Sequence, residues 1–171
     1  VVKSFNLSLN PSRIILDFEQ SIHNAVKHVW PSSSIFGCRF HLAQSWFRKI
    51  QHLGLVSIYK ESHPNSKWLH HLFGLPYLHP LSVSECYVND FMADVPSTEA
   101  FGKLSDYLVE NYISEEAVFP PFLWASDSSH LHLTTNPCES FHAHFSDAFY
   151  HTHPNINIFI QTRLTVQTSI Y

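Results

Sequence analysis

Asp17 arrives at the end of an apolar run, Ile14-Ile15-Leu16, where a buried strand would be expected to stop. A carboxylate at the carboxyl end of a sheet strand lies where open α/β sheets bind their ligands. Paired with a second carboxylate from another element, it could hold Mg²⁺ for phosphoryl transfer. Glu139, in the stretch Asn136-Pro137-Cys138-Glu139, is the second such acid. Each also has a plainer reading. Asp17-Phe18-Glu19-Gln20 fits a capping box, with Asp17 as N-cap and Gln20 reaching back from the third helical position. Glu139 would sit in the first turn of a helix capped by Asn136 and opened by Pro137, where it complements the macrodipole.

A second constellation is Cys38-Arg39-Phe40-His41, a thiol and an imidazole at CxxH spacing. That is half of a structural zinc site, which needs four ligands. His130 and His132 could supply the rest, because alternate residues share a face in an extended chain. His142 and His144 could not both do so from a helix, where positions two apart diverge. The alternative is a buried cysteine beside a histidine at a helix start. No Gly-rich phosphate loop, GxSxG or HExxH motif is present.

The elements that must position these groups can be read from spacing. Asn10-Pro11-Ser12 signals a turn, and the next four or five residues read as a central strand. Phe18, Ile22, Ala25, Val26, Val29 and Trp30 then mark one helical face that Pro31 ends. Residues 35–40 read as a second strand. Leu42, Trp46, Ile50 and Leu53 mark another helix, capped by Gly54, with Arg48 and Lys49 near its end. This β-α-β-α order predicts an α/β sheet with helices on its faces. Two strands are too few for a stable open sheet, so further strands are expected from residues 1–9 or from outside this chain. Residues 56–123 show spacings of three and four, divided by prolines. They read as helices largely separate from the sheet, with Asp90, Asp94, Asp106 and Glu110 exposed. A last helix should follow from Asn136, with Phe141, Phe145 and Phe149 on one stripe.

The totals set bounds. The 171 residues suffice for one domain with a core and one large insertion. A chain that opens on Val1 is expected to be a piece of a longer product. Three widely spaced cysteines argue against a disulfide framework and for a reducing compartment. No apolar stretch is long enough to span a membrane, and the first 30 residues lack a secretory pattern. Charge is lopsided. Residues 1–80 carry eight Lys/Arg against three acids, and residues 81–171 carry two against eleven. The basic half could face a polyanion; two differently solvated surfaces would look the same in sequence.

The run IILDFEQSIHNAVKHVWPSSSIFGCRFHLAQSWFRKIQHLGL resembles the transposase domain of Mutator-like elements, the MULE domain. The matching features are Asp17 at a strand end, the Trp30-Pro31 stop, Cys38 and His41, and Gln44 in an amphipathic helix. The resemblance resumes at FLWASDSSHLHLTTNPCESFHAHF, where Trp124, Thr135, Asn136 and Glu139 match and Pro137 replaces the family's second Asn.

That resemblance implies an incomplete RNase H-like core, residues 11–55 and 124–171, interrupted by a helical insertion at 56–123. It makes Asp17 and Glu139 the second and third acids of an Asp-Asp-Glu triad that holds Mg²⁺ or Mn²⁺. Carboxylates sharing such ions should lie within roughly 8 Å of each other. It further implies a nuclear protein whose parent assembles on transposon ends and target DNA, there as a homo-oligomer and without a membrane. Arg39, Arg48 and Lys49 are the cations assigned to DNA, with Lys60 and Lys67 adding to them. One departure stands out: residues 1–16 contain no Asp or Glu, so the first acid is absent from them. The expectation is therefore a fragment or degenerate copy, inactive alone. The alternatives are a non-catalytic DNA-binding or regulatory protein derived from a transposase, and a His-rich interaction domain stabilised by Zn²⁺.

Overall fold

The computed structural model of the protein describes residues 9–61 and 64–126, together with 156, 158, 160 and 161. The chain divides into two compact units, residues 1–134 and 135–171. In the second, Ile156, Ile158, Ile160 and Gln161 are helical. The expected helix from Asn136, with Phe141, Phe145 and Phe149, lies outside the described residues.

The first unit is mostly helical with a small parallel sheet, a mixed α/β arrangement. Strand β1 (Arg13–Leu16) pairs with β2 (Ser34–Gly37), in register from Arg13↔Ser34 to Leu16↔Gly37. Ile14, Ile15, Ile35 and Phe36 are the branched and aromatic side chains that favour a pleated surface. Helix α1 (Gln20–Val29) makes the crossover, and Pro31 follows its end. Helix α2 (Arg39–His52) leaves the tip of β2 directly. It stops because Gly54 takes a left-handed conformation, φ +71°, which a side chain would disfavour.

Three expectations for this part need correction. The capping box does not form: α1 begins three residues after Asp17, its N-cap is Glu19, and no side chain caps it. Strand β2 ends at Gly37 rather than Phe40, because Cys38 already serves as N-cap of α2. The α1 stripe is also misassigned. Ile22, Ala25 and Val29 are exposed, while His23 and Val26 are the residues the helix buries.

Residues 56–123 are helical throughout their described part, as their spacing predicts. Helices α3 (Val56–Lys60), α4 (Ser66–Leu72), α5 (Pro80–Cys86) and α6 (Glu99–Leu108) are joined by short turns. Both α5 and α6 run on into a π-helical turn, Tyr87–Phe91 and Val109–Ile113. Each wide turn leaves its last carbonyl open to an outside donor, and each has one. Trp68 Nε1 donates to the Phe91 carbonyl at 2.9 Å, and Ser84 Oγ to the Ile113 carbonyl at 2.8 Å. Asp90, Asp94, Asp106 and Glu110 are exposed, as expected.

These helices do not stand apart from the strand unit. Leu42, Trp46 and Ile50 of α2 share one core with Leu69, Leu72, Val83, Tyr87, Phe101, Leu104 and Leu108. Trp46 and Trp124 meet edge to face at 5.6 Å in the middle of it, both fully buried. Trp124 Nε1 donates to the Phe119 carbonyl at 2.9 Å. Two buried phenols lie in the same core. Burial pushes the Tyr87 hydroxyl above its usual range, and it pushes Tyr112 further in the same direction. The Tyr87 and Ser105 hydroxyls are 3.0 Å apart, which relieves part of the cost of burying them.

Candidate functional site at the strand tips

Parallel pairing brings the carboxyl ends of β1 and β2 side by side. The Cys38 amide donates to the Leu16 carbonyl at 2.7 Å, extending the ladder one step past the strands. Asp17 therefore leaves β1 next to the start of α2. Its side chain is half-buried, and its Oδ1 accepts the Glu19 amide at 3.3 Å. Glu19 itself is exposed, with Oε1 accepting from Ser21 Oγ at 2.6 Å.

Three contacts hold this turn. Phe18 points its ring across β2, where Gly37 leaves room. A Cβ at Gly37 would fall 2.5 Å from Phe18 Cζ. The same ring meets Phe119 edge on at 5.2 Å and Tyr112 at 5.8 Å, tying the strand tip to the helical layer. From the other side His23 Nε2–H donates to the Asp17 backbone carbonyl at 2.7 Å. His23 is 2% exposed and packs its ring against Phe119 at 5.3 Å. Sequence reasoning passed over His23, because a lone histidine inside a helix carries no spacing signal. The adjacent Ile22 offered a more convincing apolar position.

Cys38 is fully buried at the N-cap of α2, and His41 is half-buried in the first turn. Cys38 and Cys86 are not in disulfides. Burial, with the Asp90 carboxylate beside it, holds the Cys86 thiol above its usual range. His130, His132, His142 and His144 lie outside the described residues, and so does Glu139. Among the described residues no group of three or more His, Cys, Asp or Glu is placed to hold a metal ion. Asp17 fits a hard divalent cation as one ligand: a carboxylate at a strand tip with one oxygen held only by a 3.3 Å amide contact. Cys38 and His41 fit zinc chemistry as two donors of four.

The cations separate into two kinds. Arg39 is committed internally, donating from Nη2 to the carbonyls of Ser126 at 2.8 Å and Pro76 at 3.2 Å, with its guanidinium 4.7 Å above the Tyr77 ring. It joins α2 to two loops. Lys49 lies over the Tyr107 ring at 4.7 Å. Arg48, Lys60 and Lys67 are exposed.

Comparison of the chain with family models, with curated proteins and with solved structures finds no match. The functional reading therefore rests on the residues and where they stand. No helix among the described residues is long and apolar enough to cross a membrane.

Proposed function

We propose that this chain derives from the catalytic domain of a Mutator-like DDE transposase, with an RNase H-like core, a helical insertion and a nuclear site of action. The observation that carries the reading is Asp17, a half-buried carboxylate at the carboxyl end of a parallel strand, beside the helix that starts with Cys38 and His41. In the parent enzyme Asp17 and Glu139 would hold Mg²⁺ or Mn²⁺, and such ions supply activation of a water or 3′-hydroxyl and stabilisation of the leaving oxygen. No reaction step is assigned to this chain. Its described residues bring one carboxylate to the strand tips, and residues 1–16 contain none.

A second reading, a transposase-derived DNA-binding or regulatory protein, is favoured by the exposed cations. Arg48, Lys60 and Lys67 can contact phosphates without any metal. Lys49 keeps its charge above an aromatic ring, while Arg39 spends its donors on backbone carbonyls.

The test combines three measurements. Strand-transfer assays with Mg²⁺ or Mn²⁺ should show no activity from this chain; activity abolished by Asp17→Ala would mean that an unassigned ligand completes the site. Duplex DNA should bind without sequence preference. If three cations each neutralise a phosphate, log affinity should fall against log salt with a slope of about −2.7. Replacing Arg48, Lys60 and Lys67 by Ala should remove most of that slope. Mn²⁺ titrated into labelled protein should broaden the amide signals of Asp17 and Glu139 together. Broadening at one acid and not the other would sink the shared site.

A further inference from the structure

We infer that His23 is a positioning residue for Asp17: its Nε2–H clamps the Asp17 backbone carbonyl and so fixes the turn that presents the carboxylate. The inference rests on the reading of Asp17 as a metal ligand, and it adds a residue to that site.

The argument starts from what α1 buries. The helix turns only two side chains inward, Val26 and His23, although Ile22 stands next to His23 and is 36% exposed. An imidazole at 2% exposure carries two polar nitrogens into an apolar setting, against Phe119. Burial of that kind is unfavourable unless hydrogen bonds offset it. One nitrogen is satisfied, at 2.7 Å from the Asp17 carbonyl, and a carbonyl can only accept, so Nε2 carries the proton. The other, Nδ1, is buried with no hydrogen-bond partner. A leucine would fill much of the same space without an orphaned nitrogen, so packing alone does not account for the imidazole. Its bond to Asp17 does.

The bond acts on the right part of the chain. Asp17 lies one residue beyond β1 and three before α1, so neither ladder nor helix fixes its backbone. Phe18 anchors the next residue against Phe119, and His23 packs on the same ring. His23 therefore holds the carbonyl of Asp17 while Phe18 holds the following side chain. Between them the Asp17 carboxylate keeps one direction, and its Oδ1 meets the Glu19 amide.

Two variants separate the bond from the packing. His23→Leu keeps an apolar body and removes the donor; His23→Gln keeps a donor at similar reach. In the unmodified protein, nitrogen NMR of His23 should show the Nε2–H tautomer. In His23→Leu the Asp17 carbonyl carbon signal should move, and the Glu19 amide should exchange at least tenfold faster. The Trp46 and Trp124 indole signals should stay in place. His23→Gln should recover most of the Glu19 protection, and it carries the test if the leucine variant fails to fold. Mn²⁺ broadening at Asp17 should need severalfold more metal in His23→Leu than in His23→Gln. Unchanged Glu19 exchange in His23→Leu, or identical behaviour of the two variants, would overturn the inference. If the unmodified protein shows no Mn²⁺ effect at Asp17, the metal reading falls, and the exchange rates alone decide whether His23 clamps the turn.

Discussion

The strand unit and the helical layer have similar apolar patterning and very different burial. In the helical layer, spacings of three and four end in fully buried side chains: Val83 and Tyr87 on α5 and the turn after it, Phe101, Leu104 and Leu108 on α6. In the strand unit the same spacing on α1 leaves Ile22, Ala25 and Val29 exposed, and all four residues of β1 keep some exposure. Amphipathic spacing shows that a face could be buried, but what lies opposite decides whether it is. The helices after residue 56 find α2 and one another. Among the described residues α1 finds Phe119 and little else, and it meets that ring through a histidine.

The largest expected effect should confirm this contrast at the centre of the helical layer. Trp46→Ala removes a fully buried indole that touches Phe73, Tyr112 and Trp124, and should cost about 3–5 kcal/mol in denaturant unfolding, enough to leave the chain partly unfolded. A loss below roughly 1 kcal/mol would mean that the layer is not the stable part. Gly37→Ala tests the seam between the two regions. Its new methyl would meet the Phe18 ring, and overpacking of this kind costs about 1–3 kcal/mol. The damage should appear at Phe18, Tyr112 and Phe119 signals and not at Trp68.

Alkali should weaken the helical layer before the strand unit. Tyr87 and Tyr112 both have folded values raised above the unfolded value near 10, with burial as the main cause. Their contribution is fully present below about pH 10 and is lost as pH rises toward the folded values, because the unfolded chain ionises first. Unfolding free energy should be flat up to about pH 9 and decline above 10, and replacing both phenols by Phe should flatten that decline. At the small end, Val29→Ala on the exposed face of α1 should change stability by less than about 0.5 kcal/mol. A large loss there would show that α1 is covered after all and would remove the contrast.

Much of this was legible in the sequence, with a consistent limit. Spacing located β1, the stop near Pro31, the Gly54 cap, the helical run from residue 56 and the exposed acids along it. These are short-range features, set by turn residues and by local periodicity. What escaped depends on partners remote in sequence. Asp17 reads as a helix cap until His23 and Phe18 are seen to hold it outside the helix. Arg39 reads as a DNA contact until the carbonyls of Pro76 and Ser126 converge on it. The placement of Asp17 at a strand tip followed from four apolar letters and an acid. Its proposed partner, Glu139, lies outside the described residues.

The two π-helical turns have a consequence for how chain length can vary here. Val83, Tyr87 and Phe91 are buried at steps of four, a beat slower than the 3.6 residues of an α-helical turn, so an unbroken α-helix would rotate the last of them off the core. The wide turn takes up that lag like a vernier, and the turn after α6 does the same for Tyr112 and Ile113. Each is a place where one residue has been absorbed inside a helix rather than in a loop. Deleting a residue from Val88–Asp90 would restore ordinary pitch, yet it would swing everything that follows by about 100° and carry the Phe91 carbonyl away from Trp68. In this layer the phase of a helix is a property of its length, and a one-residue edit is a rotation.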